Sequence, residues 1–310
     1  MSLIKIVDVA HVRFAAPDLG KMAQFLEDFG FSTFTKGGRL YGQGTDGRPY
    51  QHVTEAGDPA FLALGLLAES EADLTRLAEA EGVAVEDNPE PGGGKLVRLV
   101  DPDGFAIEVV AGQAQAAGGT GVPDPVRNSA NARQRFDARV TLEPGPSHVQ
   151  RLGHCVLNVT DFRASERWYK DRFGLLTSDE VEIMPDHALG AFMRCDRGAE
   201  PTDHHTLFLA QGPGEPRLLH AAFEVANFDD LMTGHEHLAG KDYQASWGVG
   251  RHIMGSQIFD YWLDPWGHEL EHWTDGDLLT ADFPPEKRGL PELLAVQWGA
   301  QHASMAGAQG

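Results

Sequence analysis

His154, His220 and Glu271 each lie in an apolar, strand-like segment: Leu152-Gly-His154-Cys-Val-Leu, Leu218-Leu-His220-Ala-Ala-Phe and Gly267-His-Glu-Leu-Glu271-His-Trp. Two neutral imidazoles and one carboxylate suit a divalent metal such as Fe(II) and leave coordination positions open to other molecules. A single histidine in an apolar strand is more often a satisfied core residue, so the set matters only if the fold brings the three together. Cys155 adjoins His154, but strand alternation sends it to the opposite face, as a core residue.

An internal duplication supplies the elements that would do so. Val9-Ala-His11-Val-Arg-Phe-Ala-Ala-Pro-Asp18-Leu leads into Lys21-Met-Ala-Gln-Phe-Leu-Glu-Asp-Phe-Gly30-Phe, and Leu152-Gly-His154-Cys-Val-Leu-Asn-Val-Thr-Asp161-Phe leads into Glu166-Arg-Trp-Tyr-Lys-Asp-Arg-Phe-Gly174-Leu. Each reads as an apolar strand, an aspartate at a helix start, an amphipathic helix and a Phe-Gly stop. The halves also end alike, in Asp101-Pro-Asp-Gly104-Phe-Ala-Ile-Glu108 and Asp264-Pro-Trp-Gly267-His-Glu-Leu-Glu271. Asp-Pro-x-Gly is a tight-turn signal, here feeding a strand that carries a glutamate. A further strand-then-helix unit stands between these ends in each half, with helices expected over 71–81 and 228–238. The spacing therefore predicts an α+β protein of four βαβββ modules paired into two domains.

His11 and Glu108 match His154 and Glu271, but laying Asp73-Leu74 on Asp230-Leu231 puts Ala63 opposite His220. The N-terminal half thus lacks the middle ligand and is expected to carry no metal. The boundaries read as an N-terminal domain over 1–112, a linker over 113–147, a catalytic metal-binding domain over 148–280 and a tail over 281–310. The linker is rich in Ala, Gly and Pro, and 128–139 reads as a short surface helix. The tail, weakly periodic over 290–298, is expected to wrap the core or an interface.

The formal charge of −21, from 25 basic and 46 acidic residues, argues against nucleic-acid or anionic-membrane partners. No apolar run approaches a membrane-spanning length. The first residues lack the apolar core of a secretion signal, and two cysteines make no disulfide framework, so a cytoplasmic location is expected.

Gly248-Val-Gly-Arg-His252, then Phe259-Asp-Tyr261-Trp-Leu-Asp264-Pro-Trp-Gly267-His-Glu-Leu-Glu271, resembles the C-terminal signature of the type I extradiol ring-cleaving dioxygenases of the vicinal oxygen chelate superfamily. The resemblance spans residues 5–280. It implies that His154, His220 and Glu271 hold Fe(II), or less often Mn(II), which binds a catecholic substrate and O₂ together. A further histidine fifteen residues before the second ligand is also a feature of that family, and here this is His205. If the segment is a strand, its neighbour His204 points the other way. The resemblance further implies homo-oligomers.

On this reading His205 takes and returns a substrate proton, work suited to a near-neutral imidazole. His252 hydrogen-bonds a substrate oxygen, and Tyr261 donates its hydroxyl there. The plainer reading of Tyr261 is a core aromatic. Trp247 stands where relatives acting on carboxylate-bearing substrates often have an arginine, which favours a neutral or aromatic substituent, although Arg251 is close by. His268 and His272 fit a His-Glu-x-x-His spacing, but the preceding Pro265-Trp-Gly267 argues for turn and strand, and both read as structural. His235 and His237 read as solvated. Two alternatives remain: a glyoxalase-like isomerase, which would use a fuller ligand set, and a metal-free protein that binds aromatic ligands.

Overall fold

In a computed structural model, residues 2–116, 122 and 124–302 are described. The first module comprises β1 (Ile6–Ala16), α1 (Leu19–Phe29), β2 (Ser32–Lys36), β3 (Arg39–Gln43) and β4 (His52–Ala56). The second comprises β5 (Ala60–Ala68), α2 (Glu71–Glu81), β6 (Glu86–Asp87), β7 (Lys95–Val100) and β8 (Ala106–Ala111). The third runs through β9 (Val149–Asn158), α3 (Phe162–Phe173), β10 (Leu176–Met184), β11 (His187–Arg194), the short β12 (Thr202–Asp203) and β13 (Leu207–Ala210). The fourth is β14 (Arg217–Val225), α4 (Phe228–Gly240), β15 (Ala245–His252), β16 (Ile258–Leu263) and β17 (Glu269–Thr274). The α+β reading and the four modules hold.

The helices begin where the sequence provides caps. Side chains of Asp18, Ser70, Asp161 and Asn227 each accept from a backbone N–H three residues on, a contact that contributes about 1 kcal/mol per helix. Gly30 and Gly174 end α1 and α3 in left-handed conformation, at φ 115° and 69°. Gly30 is doubly constrained, because a Cβ there would lie 2.1 Å from the Ser147 carbonyl oxygen, where the two halves meet.

The first two modules form an eight-stranded sheet ordered β2-β3-β4-β1-β5-β8-β7-β6. The last two form a sheet ordered β10-β11-β13-β9-β14-β17-β16-β15, extended at each edge by the tail. After β18 (Leu278–Leu279), which pairs with β12, the tail forms β19 (Glu286–Gly289), the single turn α5 (Leu290–Leu293) and β20 (Val296–Gly299). β19 lies parallel to β10 and β20 antiparallel to β15, so the tail joins opposite edges of one ten-stranded sheet. One hydrophobic core runs through both halves; Phe31 meets Phe223 edge-on at 4.9 Å and Phe29 stacks on His272 at 3.8 Å. Each fully buried phenylalanine of this kind contributes about 1.5–3 kcal/mol.

The segment 128–139 corrects an expectation, since it forms no helix. The Asn128 side chain accepts from the backbone N–H groups of Gln134 and Arg135, both at 2.8 Å, and Arg135 Nη1 donates to the Val126 carbonyl at 2.9 Å. These bonds close a loop and take the backbone donors a helix would have used. Parts of the linker and tail readings, 117–121, 123 and 303–310, lie outside the described residues.

Candidate functional site

Strand register assembles the site. On β14, Ala222 pairs with His154 of β9 on one side and with Glu271 of β17 on the other. His220 stands two residues from Ala222, on the same face. On the far side of β17, Tyr261 of β16 pairs with Glu271, and Trp247 of β15 pairs with Tyr261. Five side chains from five adjacent strands therefore share one sheet face.

The result is a compact donor set. His154 Nε2 lies 3.2 Å and His220 Nε2 3.3 Å from Glu271 Oε2, and one ligand atom from each residue falls within 4.8 Å of the others. Glu271 is fully buried and His154 nearly so. Burial pushes the Glu271 carboxyl up, but hydrogen bonds from the two imidazoles outweigh it and hold the group well below the usual carboxylate range. Burial pushes the His154 imidazole down. Glu271 Oε1 and His154 Nδ1 have no hydrogen-bond partner. A buried anion with one oxygen unsatisfied is costly unless a cation completes it, so these residues fit a divalent metal.

His252, Tyr261 and His205 stand around this set. His252 Nε2 lies 3.0 Å from the Tyr261 hydroxyl and 3.8 Å from Glu271 Oε1. Burial lowers the His252 imidazole to about 4, so it stays neutral at pH 7 and keeps one hydrogen-bond acceptor. Burial and the adjacent Glu271 raise the Tyr261 phenol well above its ordinary value and keep its O–H as a donor. The His205 ring sits 4.0 Å from that of His154, with its imidazole pushed well down by burial and by neighbouring histidines. The segment at 204–205 is a bend between β12 and β13, not a strand. His204 therefore does not point away as alternation predicted; its Nδ1 lies 3.1 Å from His205 Nδ1.

The site opens into a cavity of about 390 Å³ whose lining is largely apolar: Val156, Phe192, Phe208, Leu219, Met254 and Trp247. Phe192 and Phe208 stack at 3.9 Å, and Leu293 and Leu294 of the tail complete the rim. Arg251 does not reach this cavity; it bonds Asp275 at 2.6 Å outside the sheet. The cation that does line it is Arg217, already donating to the Pro213 and Glu215 carbonyls. Neither Arg217 nor the Phe192–Phe208 pair carries a spacing signal in the sequence.

His268, His272, His235 and His237 hold the fold together rather than the site. His268 bonds Asp264 at 2.8 Å, and His272 bonds the Phe29 carbonyl at 2.7 Å on the opposite sheet face. His235 and His237 are not solvated as expected: they pair with Asp260 and Asp28, tying α4 to β16 and to α1.

The N-terminal half answers the same geometry differently. Gly65 of β5 pairs with both His11 and Glu108, as Ala222 does with His154 and Glu271, and Ala63 occupies the place of His220. His11 Nε2 lies 2.7 Å from Glu108 Oε2, and Arg13 donates to Glu108 at 3.0 Å and to Glu90 at 2.9 Å. A guanidinium supplies the positive charge there. Arg13 lies two residues from His11, on one strand face, so the substitution was visible in the sequence.

Residues 151–272 match the Glyoxalase/Bleomycin resistance protein/Dioxygenase superfamily. The chain is 27% identical over 294 residues to metapyrocatechase 2 of Cupriavidus necator, covering 94% of this chain and 88% of that protein. In fold it is similar to a Mn(II)-bound glyoxalase from Novosphingobium aromaticivorans, with TM-score 0.77, 22% identity and coverage of 96% and 92% of the two chains. It is equally similar to homoprotocatechuate 2,3-dioxygenase from Brevibacterium fuscum, solved with 3,4-dihydroxyphenylacetate, with TM-score 0.77, 20% identity and coverage of 98% and 92%. Residues 151–272 thus match the glyoxalase, bleomycin resistance protein and dioxygenase superfamily, on a chain with the vicinal oxygen chelate fold whose relatives include metapyrocatechase and extradiol dioxygenases.

Proposed function

We propose that this protein cleaves a catecholic ring next to its hydroxyls, using O₂ at a single Fe(II), or alternatively Mn(II), held by His154, His220 and Glu271. The observation that carries this reading is the three-donor set with an unsatisfied carboxylate oxygen, placed beside His205, His252 and Tyr261 at the floor of an apolar cavity. A divalent ion in this setting supplies a Lewis acid and a common binding point for catechol and O₂.

The chain's own residues do the rest. His205 accepts a proton from one catechol hydroxyl and later returns it. Tyr261 donates its O–H to a substrate oxygen, and His252, 3.0 Å from that hydroxyl, orients it. The apolar lining excludes water and packs the ring's substituent. With Arg251 turned outward and the cavity lined mainly by apolar side chains, that substituent is a neutral alkyl or aryl group and not a carboxylate.

The test is oxygen uptake by protein reconstituted anaerobically with Fe(II), offered catechols with alkyl, aryl and carboxylate substituents. Stoichiometric O₂ consumption with a yellow ring-opened product is expected, fastest for the neutral substituents, and removal of metal by a chelator should abolish it. No uptake from a metal-loaded protein would sink the assignment and bring the isomerase forward.

Tyr261→Phe removes a single hydroxyl from the site and leaves its shape. Metal content should stay unchanged while kcat falls by about 10- to 100-fold, below the about 10²–10³ seen when an oxyanion donor is lost elsewhere. The reduction is smaller because His252 still offers a partner. Loss of metal in this variant would contradict the placement of Tyr261 beside the ligand set.

A further inference from the structure

Behind His205 lies a chain of side chains to which no role has been given. Asp179 projects from β10, and its Oδ2 lies 2.9 Å from His204 Nε2; His204 Nδ1 in turn lies 3.1 Å from His205 Nδ1. All three residues are buried. Phe192 faces both imidazoles, at 5.5 and 4.8 Å, and a Cβ on Gly255 would stand 2.9 Å from His204 Nδ1, so the His204 ring is enclosed on two sides. Arg288 of the tail strand β19 places its Nε 4.0 Å from the other Asp179 oxygen.

With both imidazoles neutral and the carboxylate ionised, counting protons along this chain leaves one arrangement. An ionised carboxylate only accepts, so His204 Nε2 carries the hydrogen that donates to Asp179. A neutral imidazole has one N–H, so His204 Nδ1 holds a lone pair and accepts from His205 Nδ1–H. The single N–H of a neutral His205 is thereby used, and its Nε2 keeps a lone pair. The reverse order would set a lone pair of His204 against the carboxylate and turn an N–H of His205 toward the site.

We propose that Asp179 and His204 are positioning residues that fix the tautomer of His205, leaving its Nε2 as the atom that accepts the catechol proton. The proposal rests on the acid/base reading of His205 given above. In the transfer the substrate O–H bond breaks, its electron pair stays on oxygen, and the proton bonds to Nε2. The imidazolium keeps its Nδ1–H bond to His204, which keeps its own bond to Asp179. Charge forming on His205 thus meets oriented dipoles and a carboxylate without a second proton moving, as aspartate does for histidine in a serine-protease triad.

The experiment is steady-state kinetics on the Fe(II)-reconstituted enzyme with the fastest catechol, with metal content measured on each variant. The set comprises Asp179→Asn, His204→Phe, His204→Asn and His205→Ala, and the first two again in the His205→Ala background. Asp179→Asn is isosteric and allows an amide donor to face His204 Nε2, which reverses the order; His204→Phe keeps the ring and removes both nitrogens. Each should retain metal and keep KM within about twofold while kcat falls about 10- to 100-fold, a part of the about 10²–10⁴ that a general base contributes. His204→Asn keeps an acceptor near the δ position and should recover to within about threefold of the parent. In the His205→Ala background neither substitution should lower kcat by more than about twofold, because the residue they act through is gone. Equal losses in that background, or loss of metal, would make Asp179 and His204 merely structural and overturn the proposal. Unchanged kcat in both single variants while His205→Ala is slow would overturn it and leave the acid/base reading standing. Full activity of His205→Ala would overturn that reading and the proposal together.

Discussion

Glu271→Ala is expected to lose metal and activity together while the protein stays folded. Four-ligand structural zinc sites bind with about 10–16 kcal/mol, so one ligand of such a set contributes about 2.5–4 kcal/mol, or about 10²–10³ in affinity. Glu271 should lie at the upper end, since it is the only anion of the three and touches both imidazoles through one oxygen. His154→Ala and His220→Ala should lose comparable affinity. Because a bound ion stabilises only the folded state, the metal-dependent rise in Tm should vanish in all three variants, whereas His205→Ala should keep it. Metal titration followed by thermal unfolding checks this without any assay of turnover. A Glu271→Ala protein that still binds one equivalent of metal at the parent's affinity would place the centre elsewhere.

The second large effect concerns stability. Arg13→Met should destabilise the fold by about 3 kcal/mol, because it leaves buried Glu108 with His11 but without its close guanidinium, while Glu90 keeps Tyr41 and Arg39. Adding Glu108→Gln should return much of the loss, since the charge left unpaired is then gone. The same network sets a pH dependence. Burial pushes the Glu108 carboxyl up, yet hydrogen bonding to His11 and the charge of Arg13 hold it at about 2, below its ordinary 4.5. A depressed carboxyl stabilises the fold above its unfolded value and loses that contribution as pH falls toward the folded one. The parent should therefore weaken between pH 4.5 and 2, and a Glu108→Gln protein less steeply over the same window. Denaturant unfolding of the four proteins across that range measures both effects; an Arg13→Met protein as stable as its parent would show that the guanidinium is dispensable.

The duplicated strand–helix–turn pattern made the modules legible, because caps such as Asp18 and Asp161, and the turns at Asp101 and Asp264, are local chemistry that survives in sequence. The metal set was legible for the same reason: His154, His220 and Glu271 stand at matching points of repeated elements, and the absence of a histidine at Ala63 marked the difference between halves. Contacts that depend on one strand bending were not legible. His204 reads as the outward partner of His205 under alternation, and only the bend at that point turns it back to join Asp179, 25 residues away in sequence. The tail strands, Glu-Lys-Arg-Gly and Val-Gln-Trp-Gly, lie at sheet edges and, at four residues each, are too short for alternation to mark them as strands. The loop at 128–139 misled for the opposite reason: its residues tolerate a helix, but Asn128 captures the backbone first.

The tail has a consequence in the order of events during synthesis. Residues 154, 220 and 271 leave the ribosome before β19, α5 and β20, and domains fold largely in that order. Until residues 286–299 emerge, both edges of the ten-stranded sheet are open and Leu293 and Leu294 are missing from the cavity rim. A nascent chain could hold the three donors yet lack an enclosed chamber, so its centre would be open to bulk water. These strands thus act as a late seal: they close the sheet against pairing with other chains and finish the chamber only once residues 286–299 have been made.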